Sequence, residues 1–190
     1  YLQHIKHNMS IIDQLLSVIA PHHCVGCGIE GLLLCQGCAG AIVSVPSRCY
    51  RCHKLTNNYR TCTSCRSSSL LFSVTAAKPY ESHAKTLVTS LKFNGAQAAA
   101  IEMAHAMVGA WIRIDGIVVM PVPTTTDRIR YRGFDQAKLI AREFSKKRDT
   151  VYIDCLGRQG RKHQVGASRH VRLQQLKSAF YVKKPHLIRG

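Results

Sequence analysis

Acidic side chains are scarce in this sequence, and their scarcity indicates what kind of partner it binds. Among 190 residues, 27 are lysine or arginine and 10 are aspartate or glutamate, so the formal net charge is +17. Residues 155–190 contain nine basic side chains and no acid at all. Such an excess favours nucleic acid, phosphorylated small molecules or an acidic partner. We interpret the acid-free end as an anion-binding surface, and a solvated tail is the alternative.

Long apolar runs are also lacking, and this argues against a membrane span. The longest candidate, MSIIDQLLSVIA, is too short to cross a bilayer and contains Asp13 and Gln14. Its spacing instead predicts an amphipathic helix within residues 1–21. A secretory signal is the less favoured interpretation because the acid interrupts the apolar run. We therefore expect a cytoplasmic protein without a membrane span.

Nine cysteines are present, and eight of them form four C-x-x-C pairs. The pairs are Cys24/Cys27, Cys35/Cys38, Cys49/Cys52 and Cys62/Cys65. Two thiolates three positions apart on a tight turn both reach one tetrahedral metal ion at about 2.3 Å. Eight such ligands are enough for two zinc ions. The spacing therefore predicts a double zinc ribbon over residues 22–66, which would derive most of its folding free energy from metal binding.

Two alternatives concern these cysteines. A disulfide framework would also use an even set of cysteines, but the uniform spacing and the ninth cysteine, Cys155, argue against it. The simplest metal pairing is sequential, with the first four cysteines around one ion and the next four around another. A crossed arrangement is compatible with the same spacing.

Residues 67–190 alternate strand and helix patterns, which favours an α/β fold. Strands are predicted at 71–80, 116–123 and 150–156, and helices at 81–93, 96–112 and 134–148. The run GIVVMPVP at 116–123 is continuously apolar, as expected of a parallel strand that is buried on both faces. A loop, TTTDRIRYRG, is predicted at 124–133.

Three arginines crowd into that loop, and their mutual repulsion suggests a bound anion. Arg128, Arg130 and Arg132 lie between the carboxyl end of a predicted strand and the start of a helix, where ligands of open α/β sheets bind. Gly133 would let the backbone approach a phosphate closely. We predict a phosphate site here, with a solvated basic loop as the alternative.

The four cysteine pairs, SLKFNG at 90–95 and MPVPTTTDRIRYRGFDQAKLIA at 120–141 together resemble the ComF competence family of bacteria. The resemblance covers nearly the whole chain. It implies a double zinc ribbon followed by a type I phosphoribosyltransferase-like domain with a parallel sheet. The implied ligand is phosphoribosyl diphosphate with Mg²⁺, and the implied role is the handling of single-stranded DNA in natural transformation.

The resemblance also implies roles for particular residues. It adds Lys92 and Gln136 to the diphosphate site, and it matches Gln164, Arg169 and Phe180 to a later family segment. Asp135 stands where the family usually has asparagine. A separate hypothesis is a non-catalytic scaffold whose zinc ribbons dock a protein partner such as a competence helicase.

A nucleic-acid-binding role is a second hypothesis, and it follows from the charge distribution. The zinc ribbons and the acid-free end would together hold a single strand, with basic residues following its backbone while Tyr50, Tyr59 or Tyr131 stack on bases. The basic candidates are Arg158, Arg161, Lys162, Arg169 and Arg172.

One departure from the family concerns catalysis. Such enzymes hold the ribose with two adjacent acids, and this sequence contains no two acidic residues in succession. The chain ends about where the strand that precedes those acids should begin. We therefore expect an incomplete domain, a fragment of a longer protein that does not by itself catalyse phosphoribosyl transfer.

Overall fold

The structure, a computed structural model, describes residues 22–111, 114, 116–159, 168–176 and 178–187. The amphipathic helix predicted within residues 1–21 lies outside these residues, as do Arg161, Lys162 and Gln164. None of the helices in the described ranges is long and apolar enough to cross a membrane.

Two cysteine-bearing modules come first. Each set of four cysteines begins with a tight turn that one antiparallel bridge closes, His23 to Glu30 in the first module and Arg48 to Leu55 in the second. The first module continues into helix α1, Gln36–Ala41. The second contains a 3-10 turn, Asn57–Tyr59, and the single-turn helix α2, Thr63–Arg66. Little regular structure holds either module together, as expected where metal ligands provide the cross-links.

The rest of the described chain is mainly helical. The helices are α3 (Ser82–Phe93), α4 (Ala99–Ala110), α5 (Thr126–Arg132), α6 (Gln136–Arg148) and α7 (Arg169–Leu176), with a 3-10 turn at Pro185–Leu187. Helices α3, α4 and α6 confirm the three helices predicted from apolar periodicity. Helix α4 packs most extensively against α6, and Trp111 meets Phe144 edge-on at 5.5 Å between ring centroids.

The principal apolar core joins the first cysteine module to α3 and α4. Its buried members are Cys24, Leu33, Leu34, Ile42, Leu87, Leu91, Ala99 and Ala100. Leu91 is 1% exposed and Leu87 4% exposed, so this face of α3 is fully covered. The first module is therefore part of the body of the protein rather than a separate appendage.

The sheets are small. Strands β1 (Val118–Val119) and β2 (Val151–Tyr152) pair in parallel, with Val118 opposite Val151. Strands β3 (Leu156–Arg158) and β4 (Phe180–Val182) pair antiparallel, with Arg158 opposite Phe180. A Cβ added at Gly157 would collide with Tyr181 Cζ, so a larger residue there would displace that ring. The fold is mixed α/β, and the parallel part is limited to two short strands.

Two strand predictions need correction. The prediction at 71–80 was wrong, because Ser73 forms only a single bridge, to Arg60, and no described strand lies alongside the rest of the segment. The run at 116–123 does form a parallel strand, but only over two residues. Val118, Met120 and Val122 are 44%, 44% and 63% exposed. The run is not buried on both faces because, among the described residues, only one strand pairs with it.

Candidate metal centres and cationic cluster

Eight cysteine sulfurs gather into two sets of four. Cys24, Cys27, Cys35 and Cys38 form one set, and Cys49, Cys52, Cys62 and Cys65 form the other. Within each set all the sulfurs lie within 4.8 Å of one another. The pairing is therefore sequential, and the crossed arrangement is excluded. No other cluster of three potential His, Cys, Asp or Glu ligands occurs in the described part of the chain.

The distances fit metal coordination rather than disulfide bonds. Cys27 Sγ lies 3.6 Å from Cys35 Sγ, and Cys52 Sγ lies 3.5 Å from Cys62 Sγ. A disulfide requires about 2.05 Å, and all nine cysteines are free. Four sulfurs at 2.3 Å from one zinc ion would lie about 3.8 Å apart, close to the observed separations. Two four-thiolate sites are thus present, and their donor sets suit two zinc ions.

Electrostatics within each set also favour a cation. Backbone N–H groups, first that of Cys35 at 3.4 Å, donate to Cys24 Sγ and lower the pKa of Cys24 to about 5. The neighbouring thiol of Cys35, followed by burial, raises the pKa of Cys38 to about 12. In the second set the pKa of Cys49 falls to about 6, mainly through the Cys62 N–H, whereas the Cys62 thiol raises that of Cys65 to about 12. The four thiols of a set cannot all ionise near neutral pH unless a cation compensates their charge.

Gly26 is required at the first site because the Cys38 side chain lies very close to its backbone. A Cβ at this position would lie 2.5 Å from Cys38 Sγ and 3.0 Å from His83 Nε2. The backbone between Cys24 and Cys27 therefore passes directly against a ligand of the same set, and His83 of α3 lies close to the same point. Most C-x-x-C pairs accept various residues between the two cysteines, but in the Cys24/Cys27 pair the second of these residues must be glycine.

The second site is held by polar contacts instead of the apolar core. Tyr50 Oη hydrogen-bonds Ser69 Oγ at 2.7 Å, and Tyr59 Oη donates to Val45 O at 2.8 Å. No residue between 43 and 83 belongs to the principal core. The two metal centres thus differ in their coupling to the helices, although their ligand spacing is nearly the same.

The arginine segment is a helix, which corrects the predicted loop at 124–133. Helix α5 covers Thr126–Arg132 and ends at Gly133, whose φ of 82° is left-handed and whose N–H donates to Ile129 O at 2.8 Å. Gly133 therefore serves as a helix stop. On a helix, Arg128 and Arg132 share a face because they are four residues apart, whereas Arg130 lies about 200° around the axis from each. Both Arg128 and Arg130 are exposed, and Arg132 is partly buried.

Four of the six residues predicted for the anion site come together, and we call Lys92, Arg128, Arg132 and Gln136 the cationic cluster. Arg132 Nη1 donates to Gln136 Oε1, and its guanidinium lies 5.6 Å from the centroid of the Phe93 ring. Partial burial lowers the pKa of Lys92, and the nearby charges of Arg132 and Arg128 lower it further. Partial burial and the charge of Arg128 lower the pKa of Arg132. Arg132 Nε is buried without a partner. Arg130 and Gly133 are not part of the cluster.

Asp135 is a positioning residue that sequence reasoning noted only as a departure from the family. It is 9% exposed and accepts from Thr124 N at 3.2 Å, Thr124 Oγ1 at 3.0 Å and Ala137 N at 3.0 Å. One carboxylate therefore links the segment before α5 to the first turn of α6, the two helices that carry Arg132 and Gln136. An Asp immediately before a helical pattern is an N-cap signal, which could have identified this role.

The residues predicted for nucleic-acid binding that the structure describes belong to several different elements. Arg158 lies in β3 with its guanidinium 5.4 Å from the Phe180 ring centroid, and its Nε is buried without a partner. The backbones of Arg169 and Arg172 lie in α7. Of the three tyrosines proposed to stack on bases, Tyr50 and Tyr59 are hydrogen-bonded within the second module, whereas Tyr131 is 83% exposed.

Comparison with known proteins gives no relative. No family model, curated protein or solved structure matches the chain. The resemblance to the ComF family is therefore carried by the motifs alone.

Proposed function

We propose that this protein binds a phosphorylated anion at the cationic cluster, and that the anion is phosphoribosyl diphosphate accompanied by Mg²⁺, as the ComF resemblance implies. The single observation that supports this is the convergence of Lys92, Arg128 and Arg132. Burial, followed by the charges of Arg132 and Arg128, lowers the pKa of Lys92, and burial, followed by the charge of Arg128, lowers that of Arg132. None of the three pairs with a carboxylate within the described ranges. Like charges held together without a counter-charge favour an anion between them.

The two metal centres have a supporting role in this proposal. The first packs on α3, and the last turn of α3 carries Lys92 beside Phe93, which contacts Arg132. When the first centre holds its metal ion, α3 is fixed in place. This helix presents Lys92 to the cluster and places the Phe93 ring against Arg132. The broader role that the resemblance implies, handling of single-stranded DNA in natural transformation, is part of the proposal, and the proposal concerns binding rather than group transfer.

The test is titration of phosphoribosyl diphosphate, with and without Mg²⁺, into the zinc-loaded protein by calorimetry. Replacing Arg132 with Ala removes a charged donor, and we expect at least about tenfold weaker binding. Arg130→Ala is the matched control, since it makes the same charge change on the other face of α5 and should alter affinity less than about threefold. Absence of binding to the wild type, or equal losses in the two variants, would reject the proposal.

A second candidate function, binding of single-stranded nucleic acid, is favoured by one specific feature of the second module. Phe72 is 49% exposed, and the guanidiniums of Arg60 and Arg66 lie 5.1 and 4.7 Å from its ring centroid. Residues 31–80 contain six basic side chains and no acid. Guanidinium groups held over an exposed ring can stack on bases and donate to phosphates.

Fluorescence anisotropy with an oligothymidylate at several salt concentrations tests this candidate. Arg66→Ala should weaken binding and reduce the salt slope by about 0.7 if it removes one phosphate contact. Arg142→Ala is the control, because Arg142 also lies over an aromatic ring, that of Tyr152 at 5.6 Å, but in α6. An affinity that does not change with salt would remove this candidate.

A further inference from the structure

A cleft of about 660 Å³ lies between the first cysteine module and the helices α3 and α4. One wall comes from α1 and Ile42, a second from Leu87 and Val88 of α3, and a third from Met103 and neighbouring residues of α4. The volume falls within the range of about 300–1,000 Å³ that is typical of small-molecule sites. The cationic cluster contributes no lining residue, so this cleft is a separate feature of the protein.

Small residues form part of the lining of the cleft. Gly40 of α1 and Gly109 of α4 both border the cleft, and a Cβ added to either would have no heavy atom within 4 Å. Met103 and Met107 add flexible, polarisable surface that adapts to the shape of an apolar occupant. The walls therefore suit a hydrocarbon or aromatic body.

One charge in the lining is unmatched. Lys78 borders the cleft, is partly buried, and donates through Nζ to Ile42 O at 2.6 Å. Its ammonium has three donors, and in the described ranges no carboxylate lies within 4 Å of it. Glu102 also borders the cleft, but it lies 3.7 Å from His105 Nδ1, an ion pair when that ring is protonated.

We propose that this cleft is a binding site for an organic monoanion with an apolar body, such as an alkyl or aromatic carboxylate. The body would occupy the space beside Gly40 and Gly109, and the carboxylate would accept hydrogen bonds from the free donors of Lys78. A phosphate-rich ligand would leave most of its charge against apolar walls, and a cationic one would be repelled by Lys78. A neutral hydrocarbon would leave the ammonium without a counter-charge.

The test uses decanoate as the probe, titrated by calorimetry into the zinc-loaded full chain, with decanol as its uncharged counterpart. We expect saturable one-to-one binding of decanoate. Lys78→Met keeps the length of the side chain but removes its charge, and it should weaken decanoate binding by about tenfold or more while leaving decanol unaffected. Lys85→Met is the matched control, because Lys85 is an exposed residue of α3 that does not border the cleft, and it should leave both affinities unchanged.

A second variant fills the cleft. Gly109→Leu places a side chain into open space on a helix where leucine is well tolerated, so it should abolish binding of both probes while the protein stays folded by circular dichroism. The proposal is overturned if the wild-type chain does not bind decanoate, or if Lys78→Met binds decanoate as well as the wild type does. Unchanged binding by a folded Gly109→Leu protein would overturn it equally. Arg132→Ala should leave decanoate binding intact, which separates this site from the phosphate site proposed above.

Discussion

The two metal centres should contribute very unequally to the stability of the helices. Replacing Cys24 and Cys27 with Ser removes half of the first ligand set, and replacing Cys49 and Cys52 with Ser removes half of the second. Both double variants delete two thiols and should each lose one zinc ion. We expect only the first to destabilise α3 and α4, because only the first module shares their apolar core.

The size of the effect follows from the residues that the first module buries. Leu33, Leu34 and Ile42 are each less than 10% exposed and belong to the same core as Leu87 and Leu91. Burying one such side chain contributes about 1.5–3 kcal/mol, so losing all three would cost about 5–9 kcal/mol as an upper bound. That is comparable with the entire stability of a typical domain, about 5–15 kcal/mol. For a chain of this length this upper bound corresponds to a fall in Tm of at most about 10–36 °C.

Amide hydrogen exchange read by mass spectrometry, on protein whose zinc content has been measured, separates the two modules. In the Cys24/Cys27 variant, peptides from α3 and the start of α4 should lose protection together with the first module. In the Cys49/Cys52 variant the loss should be confined to the second module. Equal loss of protection over α3 in the two variants, or full protection in the first, would refute the reasoning.

Two smaller predictions concern single positions. Gly133→Ala forces a side chain into a left-handed φ of 82° and should lower the free energy of unfolding by about 1–2 kcal/mol. Gly109→Ala, in open helical space, should not lower it. Urea denaturation measures both free energies. Burial by itself raises the pKa of Asp154, but hydrogen bonds from Lys138 at 2.6 Å and Lys183 at 3.0 Å outweigh burial and hold that pKa below its ordinary value. The Asp154 carboxylate therefore stabilises the fold above the unfolded pKa of about 3.9, and this stabilisation disappears as the pH falls through the lower folded pKa. Asp154→Asn should accordingly lower the free energy of unfolding at pH 7, and much less at pH 2.

The metal centres could be predicted from the sequence because the information that specifies them is local. Two thiols three positions apart on a turn converge on one ion whatever the rest of the chain does. The order of pairing needed more than spacing, and the structure supplies it by bringing Cys27 within 3.6 Å of Cys35 and Cys52 within 3.5 Å of Cys62. The coupling of only the first set to the core could not be read from spacing at all.

Helices and strands were predicted with unequal success for a physical reason. Helices α3, α4 and α6 carry an apolar stripe whose period is set by their own hydrogen bonds, so periodicity identifies them. Helix α5 has no such stripe, since its residues 126–132 are mostly polar or charged, and its end is fixed by Gly133. A strand depends on a neighbour that the local sequence does not specify, and the apolar run at 116–123 finds one partner over two residues only.

The arginine segment shows how a missed helix changes which side chains of a motif can act together. In a loop, Arg128, Arg130 and Arg132 would be equivalent neighbours, and all three would be expected to hold one anion. Helical geometry separates them, because the 3.6-residue turn brings Arg128 and Arg132 to the same face and sends Arg130 to another. Lys92, also predicted for the site, joins Arg128 and Arg132 from α3, about 40 residues earlier in the chain, and α3 shares its apolar core with the first metal centre. Anion affinity should therefore depend on zinc in the first site even though no cysteine belongs to the cluster.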